Sequence, residues 1–270
     1  MKSDRVEVVV DGRRWADHLS VRGLLARITA AVAGMAAACT VAASPVIAQD
    51  APWQFSVTPY LWVAGIKGTT TAPASGVTFN QGFSDILKNL SGIPIMAAGE
   101  IRKGRAGFAF DMIWLKISSD IDTRNILFND GKARLSQFQF TGIGLYRVVE
   151  ETGGKIDVGG GFRLWSVSSK ASLNAGLLPA ISTSIDKTFA DPILAARFEF
   201  RLGQRWSLTA YGDVGGFGIS SDLTWQVLGT LNYRAADWAD VRLGWRHMSV
   251  DRSKVKLDMS GPILAGTLRF

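Results

Sequence analysis

The sequence is poor in the residues that most catalytic and metal chemistries need. One cysteine, Cys39, occurs among 270 residues. It lies in a segment expected to be removed, so the mature chain has no disulfide framework and no thiolate metal site. Two histidines occur, His18 and His247, and only His247 follows that segment. A histidine-rich metal centre is thereby excluded, as is any mechanism needing two histidines; neither a metal nor a cofactor is expected. Past residue 48 no apolar run approaches the roughly 18 residues of a membrane-spanning helix. Charge is not concentrated either. Thirty basic and 23 acidic residues give a net charge of +7. Without a Lys/Arg block in the mature chain, nucleic acid is not an expected partner.

The first 48 residues have a different character. Arg22 and Arg27 precede an apolar, alanine-rich run from Ile28 to Ala43, followed by Ser44-Pro45-Val46-Ile47-Ala48. A basic region, an apolar core, a proline break and small residues at Val46 and Ala48 form a secretory signal with cleavage after Ala48. A transmembrane helix from Ile28 to Ala48 is the rival. Pro45 disfavours it, because it breaks the run where a peptidase needs extended chain. Lipidation at Cys39 lacks the usual leucine three residues earlier. Residues 1–20 are too polar for a signal and read as a spurious extension from an early start site. The expected domains are thus a leader over 1–48 and one domain over 49–270, carrying a balance of about +5.

That domain alternates with period two. Phe108, Phe110, Met112 and Trp114 stand against Gly107, Ala109, Asp111 and Ile113. Leu194, Ala196, Phe198 and Phe200 stand against Ala195, Arg197, Glu199 and Arg201. Leu223, Trp225 and Val227 stand against Thr224 and Gln226, and Val241, Leu243 and Trp245 against Arg242, Gly244 and Arg246. Strands of a soluble sandwich average about five to six residues. These runs are about ten or longer, which suits a tilted strand crossing about 25 Å of hydrocarbon. The greasy face is then outside and the polar face inside. The fold class expected is all-β: a single transmembrane antiparallel up-and-down β-barrel of about ten strands, with eight or twelve as neighbouring counts.

Short connections near 103–105, 150–154, 203–205 and 235–238 alternate with others at 67–92, 119–133, 170–187, 219–222 and 251–254. Short turns belong on the periplasmic side. The expected strands are 53–66, 93–102, 106–118, 134–148, 155–169, 188–202, 206–218, 222–234, 239–250 and 255–270. Asp191-Pro192 suggests an edge or bulge. Trp53, Tyr146, Trp206, Tyr233 and Trp238 lie near turns, and Trp114, Trp225 and Trp245 toward the outer ends, as two interfacial girdles would require. Phe83, Ile86, Leu87 and Leu90 have helical spacing in the first loop. The stretch Leu173–Ile185 is unusually apolar for an exposed loop.

Parity places Glu100, Asp111, Arg163, Arg197, Glu199, Asp213, Arg242 and Arg246 inside. A narrow barrel forces buried charges to pair. Asp213 and Glu199 are the expected partners of Arg242 and Arg246. Such a network either fills the lumen or lines a narrow passive channel for small polar solutes. Gly159-Gly160-Gly161 and Gly215-Gly216-Phe217-Gly218 lie inside strand patterns with no helix following, so they read as bending points rather than phosphate loops.

The chain ends on Phe270, with Leu264, Gly266 and Leu268 on the same face. This resembles the C-terminal recognition strand of bacterial outer-membrane barrels, with Ala265 where a glycine is usual and Gly266 beside it. Val57-Thr58-Pro59-Tyr60-Leu61-Trp62, Tyr211-Gly212-Asp213-Val214-Gly215-Gly216-Phe217-Gly218 and Leu243-Gly244-Trp245-Arg246-His247 resemble an uncharacterised family of small Gram-negative outer-membrane β-barrel proteins. The resemblance spans most of 53–270. It implies a barrel in the cell outer membrane, lipids and lipopolysaccharide around it and the barrel-assembly machinery as a partner in biogenesis. It implies no chemistry.

His247-Met248-Ser249 resembles the His-x-Ser pair of outer-membrane lipid hydrolases. Parity with Leu243 and Trp245 turns His247 and Ser249 outward, and Asp258 on the next strand is a candidate third member. The Asn-rich residues that follow the pair in those enzymes are replaced by Val250-Asp251-Arg252. Trp245-Arg246-His247 also departs from the Asp-x-His pair of outer-membrane proteases. The expected role is non-enzymatic, a structural barrel or a narrow channel. A lipid hydrolase, or a surface-interaction barrel acting through its loops, is the alternative.

Overall fold

Alternating runs with one apolar face become strands because each side chain can be sorted to one side of a closed wall. The strands are β1 (Trp53–Trp62), β2 (Gly65–Thr70), β3 (Val77–Gln81), β4 (Ile95–Lys103), β5 (Ala106–Ile121), β6 (Phe128–Glu151), β7 (Gly154–Ala175), β8 (Ile181–Arg201), β9 (Trp206–Gly215), β10 (Leu223–Ala236), β11 (Ala239–Arg252) and β12 (Val255–Arg269). This computed structural model describes residues 51–70, 77–82, 88–121, 128–176, 179–253 and 255–270, all within the unit Ile47–Phe270. The expected leader, and the helical spacing at Phe83, Ile86 and Leu87, lie outside the described residues. Leu90 bridges to Ile117 on β5.

Ten of these elements are the staves of a barrel. From β4 to β12 each strand pairs antiparallel with the next, and β1 pairs with both β4 and β12, which closes the wall. β1 and β2 are one stave interrupted at Val63-Ala64. Both lie on β12 in a single register, from Ser56↔Arg269 to Thr70↔Val255. β3 folds back on β2 as a short hairpin outside the count. The β1–β4 ladder ends at Pro59↔Ala97, at the residue that has no N–H to donate. Ten staves, with the short turns, the start of β1 and the end of β12 at one end of the barrel, agree with the alternation.

The loops differ from expectation. Segments 119–133 and 170–187 are largely strand. β6, β7 and β8 contain 24, 22 and 21 residues, and the β7–β8 ladder runs out to Leu173↔Ile181. At about 3.3 Å per residue β7 is about 70 Å long, roughly twice what a tilted crossing needs. The excess was hidden because it carries no apolar face. The outward positions change from Phe162 and Leu164 to Ser166, Ser168 and Lys170, and from Phe138 to Ser136, Arg134 and Lys132. Strands β5 to β8 therefore project beyond the greasy band as a polar wall. Pro192 marks where β8 leaves its neighbour: the β8–β9 ladder begins at Ile193↔Gly215.

The outer face of the band is apolar and fully presented. Phe55, Val57, Leu61, Phe198, Phe200, Leu243 and Leu264 are exposed there, as are the turn-side aromatics Trp53, Tyr146, Trp206 and Trp238. No helix among the described residues is long and apolar enough to cross a membrane.

Gly161 shows how tightly the wall bends. A Cβ there would lie 1.9 Å from the carbonyl oxygen of Gly142 on β6, so only glycine permits the approach. The Gly159-Gly160-Gly161 run is a close strand–strand contact, as its place inside a strand pattern suggested.

Candidate functional site

The candidate site is the lumen, which is built in three levels. At the level farthest from the short turns the lumen is apolar. Trp62 (β1), Ile113 (β5), Trp165 (β7), Phe189 (β8), Met248 and Val250 (β11), and Met259 and Ile263 (β12) form one buried cluster. Six of the ten staves contribute, so the layer crosses the barrel rather than lining one wall. Met248 is wholly shielded from solvent, and Trp165 stacks on Phe189 at 6.1 Å between ring centroids. Above it the Arg252 guanidinium lies 4.1 Å from the Phe189 ring centroid. Sequence reasoning did not anticipate this layer. Its members sit at inward positions, where the barrel pattern leads one to expect polar residues, and Trp62 and Trp165 have the composition of girdle residues while facing the inside.

Two charge clusters lie against the apolar layer at mid-barrel. Arg163 and Asp213 pair at 2.7 Å with both side chains inaccessible to solvent. Arg163 also donates to Thr141 and Thr224 Oγ1 at 3.2 Å each, and Tyr211 donates to Asp213 at 2.7 Å. Arg246 pairs with Asp111 at 2.7 Å and donates to Gln226 Oε1 from Nε and Nη2. It donates to the Tyr60 hydroxyl at 3.0 Å, which in turn donates to Asp111. Its guanidinium lies 4.7 Å from the Trp62 ring centroid, joining this level to the apolar one.

Nearer the turns a third cluster spans the lumen. Arg197 on β8 reaches Glu100 on β4 at 3.1 Å and Asp157 at 2.6 Å. Arg102 pairs with Glu100 at 2.7 Å and Asp157 at 3.2 Å, and Arg147 with Asp157 at 3.0 Å. Asp157, Arg102 and Arg147 were not among the expected charges. The signal was present: Asp157 shares parity with Arg163, and Arg102 with Glu100. A register shift between Arg147 and Val149 obscures the parity of β6 near its turn.

Of the expected charges, Glu100, Asp111, Arg163, Arg197, Asp213 and Arg246 enter these clusters. The expected partnerships of Arg242 and Arg246 are corrected. Asp213 belongs to Arg163, and Arg246 belongs to Asp111. Among the described residues Arg242 makes an ion pair with Asp240 alone, at 3.8 Å. Glu199 makes no ion pair among the described residues. Parity fixes which face a side chain takes, but the stagger of the staves around the barrel decides which inward charges are level with each other.

Below the mid-barrel clusters lies a cavity of about 630 Å³. Tyr60 and Arg246 form its inner end, and Arg234, Asp237 and Phe270 its mouth beside the turns.

The alternation of β11 puts His247 and Ser249 on the outer face, where Ser249 is covered by its neighbours, 3% exposed, and lies directly opposite Asp258. The constellation is not assembled. The imidazole packs on Trp225 with centroids 4.8 Å apart. No hydrogen bond joins His247, Ser249 and Asp258. Leu264 and Leu268 also face outward, with Phe270 exposed at the closing seam. The Phe270 N–H donates to the Phe55 carbonyl at 2.9 Å.

No family model matches the chain, and no curated protein matches it. Several solved structures are similar to it. The translocator domain of the autotransporter NalP from Neisseria meningitidis is 12% identical, over 90% of this chain and 97% of that one, with a TM-score of 0.43. Ail, the attachment invasion locus protein of Yersinia pestis, is 12% identical over 81% and 98%, with a TM-score of 0.36. A FadL homologue of Pseudomonas aeruginosa is 8% identical over 82% and 90%, also at 0.36. Identities this low transfer no activity.

Proposed function

We propose that the protein is a non-enzymatic barrel of the Gram-negative outer membrane, delivered by a leader cleaved after Ala48, and that its lumen does not conduct. The observation that carries this reading is the apolar layer from Trp62 to Met259, which six staves build across the lumen. A passive channel for polar solutes needs a continuous wetted path, and a layer of packed, buried side chains that is apolar except for the indole N–H groups of Trp62 and Trp165 interrupts one. Between a structural barrel and a narrow channel, it favours the first.

The exterior supports the location. A greasy band carries aromatics beside the short turns and others, Trp114, Trp225 and Trp245, at its far edge. Just beyond that edge Arg134 and Lys170 face each other across the β6–β7 ladder, with Lys116 near them on β5. Like charges directly opposite one another destabilise a sheet unless an anion intervenes. The phosphates of lipopolysaccharide supply such an anion if this end faces outward and the turns face the periplasm. The polar wall of β5–β8 then stands outside the cell, where it is available to a surface partner.

Single-channel recording of the refolded protein in a planar bilayer tests the main reading. A silent barrel is the expected result, and discrete ion-selective steps from wild type would overturn it. A lipid-release assay tests the hydrolase alternative. Neither wild type nor His247→Ala is expected to release fatty acid from phospholipid or lipopolysaccharide. Release by wild type that the variant abolishes would reverse the assignment.

A further inference from the structure

The cavity on the turn side of the apolar layer is more basic than a structural filling requires. Nine basic side chains line it against four acidic ones. Most of the basic groups are spoken for. Arg102, Arg147 and Arg197 share Glu100 and Asp157, and Arg246 has Asp111. Arg242 does not follow this pattern. Among the described residues its one ion-pair partner, Asp240, is 3.8 Å away and is already held by both terminal nitrogens of Arg269, while Glu199 on the same cavity wall acts on it only from beyond ion-pair distance. The Nε of Arg242 is shielded from solvent and has no hydrogen-bond partner. Arg201 and Arg234, which line the same cavity toward its mouth, make no ion pair among the described residues.

A donor withdrawn from water and left unused is costly, and the Arg242 side chain as a whole stays 28% exposed, open to a ligand. Arginine's fork is matched by planar carboxylates and by phosphates, which accept two parallel hydrogen bonds. A volume of about 630 Å³ lies inside the range of small-molecule pockets, about 300–1,000 Å³. We propose that this cavity is a binding site for a small organic anion bearing carboxylate or phosphate groups, with Arg242 as its anchor and Arg201 and Arg234 as the cations at its mouth. The hydrogen-bonded hydroxyls of Thr58 and Thr267, which also line it, keep one proton free to donate to such an anion. The apolar layer closes the far end, so the ligand enters and leaves by the turn side. Its periplasmic origin rests on the orientation proposed above; the chemistry of the pocket does not.

Isothermal titration of the full barrel, folded in an uncharged detergent at low salt, tests the site with two probes, citrate and inorganic pyrophosphate. Saturable binding of one probe per barrel is expected. A preference for citrate identifies a carboxylate site and a preference for pyrophosphate a phosphate site. Arg242→Gln should weaken the preferred probe about tenfold or more, the loss of one charged hydrogen bond. Arg234→Gln, at the exposed mouth, should weaken it less and keeps the test valid if the buried variant fails to fold. Arg205→Gln, on a neighbouring turn outside this cavity, should bind like wild type. Gel heat-modifiability reports folding of each variant. The proposal fails if neither probe binds more tightly than about 1 mM. It also fails if the folded Arg242 variant, or in its absence the Arg234 variant, binds as wild type does. Conductance is a separate readout: a conducting barrel would overturn the closed lumen and leave this site standing.

Discussion

Arg163 is the most demanding residue of the lumen. Its guanidinium is fully withdrawn from solvent and is satisfied by one carboxylate and two threonine hydroxyls. Removing it strands Asp213 in the same shielded place. Breaking a buried pair typically costs about 3–5 kcal/mol, so Arg163→Ala should markedly lower the temperature at which the compact gel form converts to the unfolded one. Arg246→Ala should do the same by stranding Asp111. Arg242→Ala should cost much less, since its one ion-pair partner among the described residues is 3.8 Å away and otherwise held. Equal losses for all three would show that the pairing geometry does not govern stability. At this scale the sequence was informative about sides and poor about partners. Eight charges were assigned to the inside from parity. Which acid meets which base depended on stagger, and Asp157, the acid shared by three arginines, was not among the eight although it shares parity with Arg163.

At the scale of elements, the seam and the projecting wall behave differently. β12 closes the barrel on β1 and β2, and Phe270 holds the last rung through Phe55. Deleting Phe270 removes that rung and an outward aromatic from the closing edge. We expect slower and less complete assembly, read as loss of the heat-modifiable form in outer membranes; normal insertion of the deletion would show that the terminus is dispensable. The wall built from the far ends of β7 and β8 lies beyond the apolar layer. Joining Ser168 directly to Asp186 through an Asn-Gly turn should therefore leave folding and unfolding temperature close to wild type. A barrel that fails to fold would show that the wall is part of the folding unit. This wall was read as loops because strand length was inferred from the apolar face. Beyond Leu164 the outward positions become serine and lysine, and backbone pairing continues without that signal.

For the whole molecule, the decisive feature is the layer that divides the lumen into an outer apolar part and an inner basic cavity. Replacing Trp165 and Phe189 together by alanine removes its largest stacked pair. Large-to-small changes in packed interiors leave cavities and cost roughly 3–5 kcal/mol for each aromatic. The double variant should be less stable and, where it folds, should turn a silent barrel into one with measurable conductance. A folded variant that stays silent would place the block elsewhere, among the Arg163 and Arg246 clusters.

What the sequence determined by itself was whatever depends on period two: all-β class, ten staves, greasy exterior, short turns at one end and an inward set of charges. Alternation is local, and a strand of either register displays it. The tertiary structure decided what depends on closure. It set the level of each inward residue relative to the others, and so the pairing of Arg163 with Asp213, the long and shared pairing of Arg242 with Asp240, and the stacking of inward aromatics into one layer. Those contacts join residues as far apart as Tyr60 and Arg246, and only the stagger of the closed wall brings them to the same height.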